Sequence, residues 1–213
     1  MADTRGFVVA LLGAESTGKT TLARSLGAAL QTPEYNVAVV PEYLREFCDT
    51  HGRTPRQDEQ QGIADEQSRR IDAAARTYPL VIADTTALMI AVYSDHIFGD
   101  TTLYASALAA QARCDLTLLT ALDLPWQADG MQRDGPHVRE PVDQRVRSAL
   151  ERAGLAYSIV HGTGDARLAA ALAGVQRART PRPSGADEEP RWHWHCERCG
   201  DANCERHPLL PSI

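Results

Sequence analysis

Phe7-Val8-Val9-Ala10-Leu11-Leu12-Gly13-Ala14-Glu15-Ser16-Thr17-Gly18-Lys19-Thr20-Thr21 is the stretch that decides the fold. Its first six residues form an apolar run of strand character. The next eight fit G-x-x-x-x-G-K-[ST], the phosphate-binding loop, and a helical pattern follows over residues 20–31. The glycines let the chain turn tightly, so that backbone N–H groups face a polyphosphate. Lys19 can reach the terminal phosphates, and the Thr20 hydroxyl can complete a Mg²⁺ shell. The helix adds its positive end to the same anion. Gly13, Ala14, Glu15, Ser16, Thr17, Gly18, Lys19, Thr20 and Thr21 are therefore the expected nucleotide-binding residues, for ATP or GTP.

Working outward, apolar runs of strand character recur at residues 36–41, 80–84, 116–119 and 155–160. Helical patterns lie between them, at 43–50, 57–76, 101–113, 142–153 and 165–177. Ile63, Gln67 and Ile71 stand four apart on one helix face. Near-continuous apolar strands such as Leu80-Val81-Ile82-Ala83-Asp84 suit a sheet covered on both faces. The alternation predicts an α/β P-loop NTPase with a doubly wound parallel sheet. This domain is expected to span residues 1–179. A Pro-rich linker follows at 180–190, then a Cys/His-rich tail at 191–213.

Composition narrows the function. With 213 residues and 43% hydrophobic content, the chain can bury one sizeable core. No apolar run approaches the ~18 residues of a membrane span. The short start before the first strand leaves no room for a signal peptide, so the cytoplasm is the expected location. A net charge of −6 argues against a general nucleic-acid binder. Lys19 is the only lysine in the chain. Cys48 and Cys114 fall in apolar surroundings and read as inert thiols.

Phosphoryl transfer also needs groups that hold the metal and orient an acceptor. Glu42 ends the second strand, where open α/β sheets place their ligands, and can accept a hydroxyl proton. Arg45, three residues on, can hold a phosphate or lock Glu42; a surface ion pair is the plain reading of both. Asp84 ends the third strand and is a candidate for the magnesium shell or an acceptor contact, with a turn cap as the alternative. The polar loop 123–141 can act as a lid. Arg133 is its candidate catalytic cation, and Arg139 a second one unless it is simply solvated. Trp126 either stacks on a planar, preferably cationic, ring or plugs the hinge of that loop. Gln67 is a candidate contact to the acceptor's base.

Taken together, Gly13–Thr20, Glu42-Tyr43-Leu44-Arg45-Glu46, Asp84-Thr85-Thr86, Val92-Tyr93-Ser94 with Phe98-Gly99, and Pro125-Trp126 with Asp129-Gly130 and Arg133 resemble the nicotinamide riboside kinase domain of NadR-type NAD-biosynthesis proteins. The resemblance covers roughly residues 5–178. It implies ATP-dependent phosphorylation of the 5′-hydroxyl of nicotinamide riboside, with Trp126 on the pyridinium ring and Glu42 and Asp84 serving the ribose hydroxyl and magnesium. Thr86 stands where the family commonly carries a second acidic residue. Two alternatives remain: a nucleoside or nucleotide kinase with another acceptor, and a regulatory P-loop ATPase with a macromolecular partner. The expected partners are a small-molecule riboside or nucleotide and, in a homo-oligomer, further copies of this chain.

The tail lies outside that resemblance. Cys196, Cys199, Cys204 and His207 follow C-x2-C-x4-C-x2-H, two chelating pairs that can close a tetrahedron around structural Zn²⁺. A metal-free tail and a redox Cys-x-x-Cys are the competing readings.

Overall fold

The computed structural model of the chain describes residues 5–127 and 135–180. The chain divides after Arg179, and the description concerns the first unit. Five strands form one parallel sheet: β1 (Phe7–Leu12), β2 (Val37–Val40), β3 (Leu80–Asp84), β4 (Leu116–Thr120) and β5 (Ser158–Val160). Their order is β2-β3-β1-β4-β5. Parallel neighbours cannot be joined by tight hairpins, so helical crossovers connect them. The helices are α1 (Lys19–Leu30), α2 (Tyr43–His51), α3 (Gln60–Thr77), α4 (Ala87–Phe98), α5 (Tyr104–Gln111), α6 (Arg139–Arg152) and α7 (Gly164–Arg179).

Side-chain alternation sorts each strand onto two buried faces. Val9, Leu11, Leu80, Ile82 and Leu118 pack with Leu22, Ala23 and Leu26 of α1 and with Ala171 and Val175 of α7. On the opposite face Leu12 and Leu119 meet Leu88, Met89 and Val92 of α4 and Val142 and Val146 of α6. Val8, Val40, Val81 and Ala83 meet Ile71 and Ala75 of α3 on that face. Both faces are covered, as the unbroken apolar strands require.

Two departures from the sequence expectation matter. Residues 87–98 form α4, a helix that the periodicity does not announce. Its buried residues Ala87, Leu88, Met89, Ile90, Ala91 and Val92 run consecutively round the helix, because sheet, α3, α5 and α6 enclose it. A stripe appears only where one side of a helix meets water. The helix expected from residue 142 begins earlier, at Arg139. In the sheet order β1 has β3 on one side and β4 on the other. The carboxyl end of β1 is therefore the switch point of the sheet, where such folds bind ligands.

Candidate active site

The loop after β1 is built by local backbone demands. Gly13 (φ 146°) and Gly18 (φ 74°) occupy conformations that favour glycine. A Cβ on Gly13 would collide with Thr120 of β4. Ser16 also takes a positive φ of 56°, a strain of the kind that clusters at ligand sites. The Thr17 hydroxyl donates to the Ala14 carbonyl at 2.8 Å and accepts from Thr120 Oγ1 at 2.7 Å. Lys19 opens α1, and its Nζ donates to the Gly13 and Ala14 carbonyls, each at 2.8 Å. The ammonium is thereby held over the loop itself.

The neighbouring strand ends supply carboxylates. Asp84 pairs in register with Leu11 and shares the sheet face covered by α1, whose first turn carries Lys19 and Thr20. It is 2% exposed, and its Oδ1 is buried without a hydrogen-bond partner. The next residue, Thr85, has φ 72°, an outlier for a β-branched side chain. Its N–H donates to the Leu11 carbonyl at 3.1 Å. Thr86 then caps α4, accepting from Leu88 N at 3.3 Å and donating to Gln111 Oε1 at 2.7 Å. Thr86 thus serves the helix end. Glu42 stands at the N-terminus of α2, 3.8 Å from the Arg45 guanidinium.

A cavity of about 1240 Å³ opens over these strand ends. Glu15–Thr21 line its centre. Glu42, Arg45, Cys48, Arg56, Gln57 and Gln60 line one side with Met89, Tyr93 and Phe98 of α4, and Leu124, Pro125, Gln127, Gly164, Asp165 and Leu168 line the other. Burial and the nearby Glu42 charge push the Cys48 thiol up, and burial pushes the Cys114 thiol up to about 12. Both cysteines are poor nucleophiles at neutral pH.

The family model described as AAA domain, AAA_28, matches residues 8–167. The chain belongs to the AAA domain family. A search of curated proteins gives no match. Among solved structures, this AAA domain is similar to NadR protein in complex with NR, at TM-score 0.67 and 21% identity over 83% of this chain and 52% of that one. It is also similar to NadR protein in complex with NAD and AMP-PNP, at TM-score 0.63 and 21% identity, over 83% and 51%. The chain thus shares the fold of those NadR structures. The chain spans about half the length of those proteins.

Within the AAA domain, the cavity gathers most of the expected loop residues with Glu42 and Arg45. Asp84 itself is buried beneath the wall and does not line it, and three further expected residues stand elsewhere. Gln67 is fully buried. Its Oε1 accepts from Tyr43 N at 2.7 Å, and its Nε2 donates to the Pro41 and Thr85 carbonyls at 3.3 and 3.4 Å. It joins the two strand ends beneath the carboxylates and is not in the cavity wall. Trp126 is half-buried between two wall residues but is not in the wall itself, and its indole N–H is buried without a partner. Arg139, expected in the lid, is the buried first residue of α6, and its Nε and one Nη lack partners. Arg133 and the ligand set Cys196, Cys199, Cys204 and His207 lie outside the described residues.

Sequence reasoning passed over Arg167. It lines the cavity from the first turn of α7 and is 4% exposed. Its guanidinium donates to Asp123 Oδ1 at 2.6 Å and to the carbonyls of Gly162 (2.7 Å), Thr17 (2.8 Å) and Ala121 (3.3 Å). Burial pushes the Asp123 carboxyl up, but the Arg167 and Gly162 hydrogen bonds outweigh it, and the net shift is downward. The one sequence signal was its place at a helix start, where a cation opposes the dipole. The flanks of the segment 128–134 also meet the loop: Gln127 N donates to Ser16 Oγ at 2.8 Å, and Gly135 N to Glu15 Oε1 at 3.2 Å.

Proposed function

We propose that this AAA domain is an ATP-dependent small-molecule kinase that phosphorylates the 5′-hydroxyl of nicotinamide riboside to give nicotinamide mononucleotide. The observation that carries the reading is the cavity. At about 1240 Å³ it exceeds the ~300–1,000 Å³ of an ordinary ligand pocket, so it has room for a donor and an acceptor. The two sides differ in chemistry, with the phosphate loop between them. One solved structure of the same fold holds NR, and another holds NAD and AMP-PNP.

In this reading the loop N–H groups and Lys19 hold the triphosphate and stabilise the charge that develops on the transferring group. Glu42 accepts the 5′-hydroxyl proton as that oxygen bonds to the γ-phosphorus, and ADP departs. Thr20 in the wall and the orphaned Asp84 Oδ1 are hard oxygen donors of the kind magnesium takes. Bound there, Mg²⁺ would neutralise charge on the phosphates. We place the acceptor's ring against Tyr93 and Phe98 of α4, which line the cavity, rather than on Trp126.

A second reading is favoured by one observation. Arg45 and Arg56 line the acceptor side, and guanidinium groups suit an acceptor that carries its own phosphate. That acceptor would be a nucleotide. A coupled ATP-consumption screen across ribosides and nucleotides, with product mass determined, separates the two. Turnover with nicotinamide riboside supports the first. Turnover with a monophosphate alone moves the protein to the second. ATP hydrolysis that ignores every small acceptor defeats both.

A further inference from the structure

We infer that Arg167 is a positioning residue that locks the phosphate loop to the nucleoside side of the cavity, so that a nucleoside triphosphate is gripped at both ends by one rigid unit. The inference rests on the reading of the cavity as a nucleoside triphosphate site. Sheet order sets the sides. Asp84 ends β3 and Glu42 stands two residues past β2, both on one side of β1, and α4 adds an apolar wall there. The acceptor belongs on that side. The nucleoside part of the donor then lies on the other, over the ends of β4 and β5, where Gly164, Asp165 and Leu168 line the wall.

Arg167 is where those two regions meet. One Nη holds the carbonyls of Thr17, in the phosphate loop, and Ala121, just past β4. The other holds Asp123 and the Gly162 carbonyl, in the turn that leads into α7. Asp123 closes the arrangement by accepting from Gly162 N at 2.6 Å. A guanidinium can do this because its donors lie in a fixed plane; a lysine ammonium would offer a point charge with no such fork. The loop keeps other supports of its own, through Thr17, Ala14 and Thr120. What Arg167 adds is a fixed spacing between the turn and the loop. A preorganised spacing favours a ligand that spans both regions over one that occupies the loop alone.

The test compares ATP with inorganic tripolyphosphate, each with magnesium, by calorimetric titration of the full chain. Wild-type protein should prefer ATP. In Arg167→Met, ATP binding should weaken about tenfold or more, the scale of a lost charged hydrogen bond. Tripolyphosphate binding should change by no more than about threefold, because loop contacts with independent partners act nearly additively. Asp123→Asn leaves Arg167 in place but sets an amide N–H against a donor. It should lower the same ratio and serves if Arg167→Met does not fold. Equal losses for both ligands, or an unchanged ratio in a folded variant, would overturn the inference while leaving the kinase reading intact. Wild-type protein that binds tripolyphosphate as well as ATP, or neither, would overturn both.

Discussion

Lys19 is a single positive charge set on the carbonyls of its own loop. Its value lies in charge placed before the phosphates arrive, which water would otherwise have to reorganise to supply. Lys19→Ala should therefore cost about 100-fold or more in turnover, with circular dichroism unchanged. A folded variant with near-normal turnover would remove Lys19 from the mechanism. The two carboxylates should separate in kinetics. Glu42→Gln should lower kcat about 100-fold or more, the scale of a lost general base, with little change in ATP affinity. Asp84→Asn should lower kcat and also raise the magnesium concentration needed for half-maximal rate. The opposite pattern would exchange their roles. The aromatic residues offer a third comparison. Tyr93→Ala should raise the acceptor KM by an amount equivalent to ~0.5–1.5 kcal/mol, and Trp126→Ala by less. A larger effect at Trp126 would return the ring to the position that family resemblance assigns.

At the scale of elements, the sheet fixes Asp84, but Glu42 is held by a segment that the sheet does not itself fix. In α2 only Cys48 is fully buried. Arg70 of α3 lies 4.3 Å over the Tyr43 ring, and Gln67 takes the Tyr43 N–H. Gln67→Leu leaves that N–H and two carbonyls without their partner. It should destabilise the protein by about 1–3 kcal/mol for the unsatisfied group, read by urea unfolding. It should also lower kcat more than it weakens ATP binding, because the spacing of Glu42 and Asp84 changes while the phosphate loop does not. A kcat unaffected by a measurable stability loss would make Gln67 a core residue alone. Its sequence position was legible as a helix face with Ile63 and Ile71, but a glutamine on such a face looks the same whether it bonds a ligand or a backbone. For α4 the limit was different. The strands were read to within a residue or two except β5, which begins later than the pattern suggests. Yet Ala87–Phe98 carries no amphipathic stripe, since it packs against neighbours on several sides. Period-based reading has nothing to detect over Ala87–Val92, which have no wet face.

At the scale of the whole molecule, surface charge pairs contribute to the response to acid. Hydrogen bonds from Arg53 and the Arg56 backbone lower Glu59 to about 2, and bonds from Arg69 and Arg70 lower Glu66 to about 2, both from 4.5. Their folded pKa values lie below the unfolded ones. The stability they contribute is therefore complete above pH 4.5 and lost as pH falls towards about 2. Thermal unfolding should show that decline, and Glu59→Gln should flatten part of it. A melting temperature constant across this window would show these pairs to be without energetic effect. The sequence alone determined the phosphate loop, the parallel α/β class and the strand end that carries Asp84, while Glu42, expected at the end of β2, stands two residues past it at the start of α2. Those features are written in local spacing: a glycine where the chain must turn, an apolar run where a strand is covered on both faces. Only the tertiary structure decided that Gln67 joins strand ends, that Trp126 stands outside the cavity wall, that Tyr93 and Phe98 line it, and that Arg167 grips Thr17. The last contact joins residues 150 positions apart. No local pattern records such a meeting, because what a buried arginine or glutamine bonds depends on which distant backbone the fold brings to it.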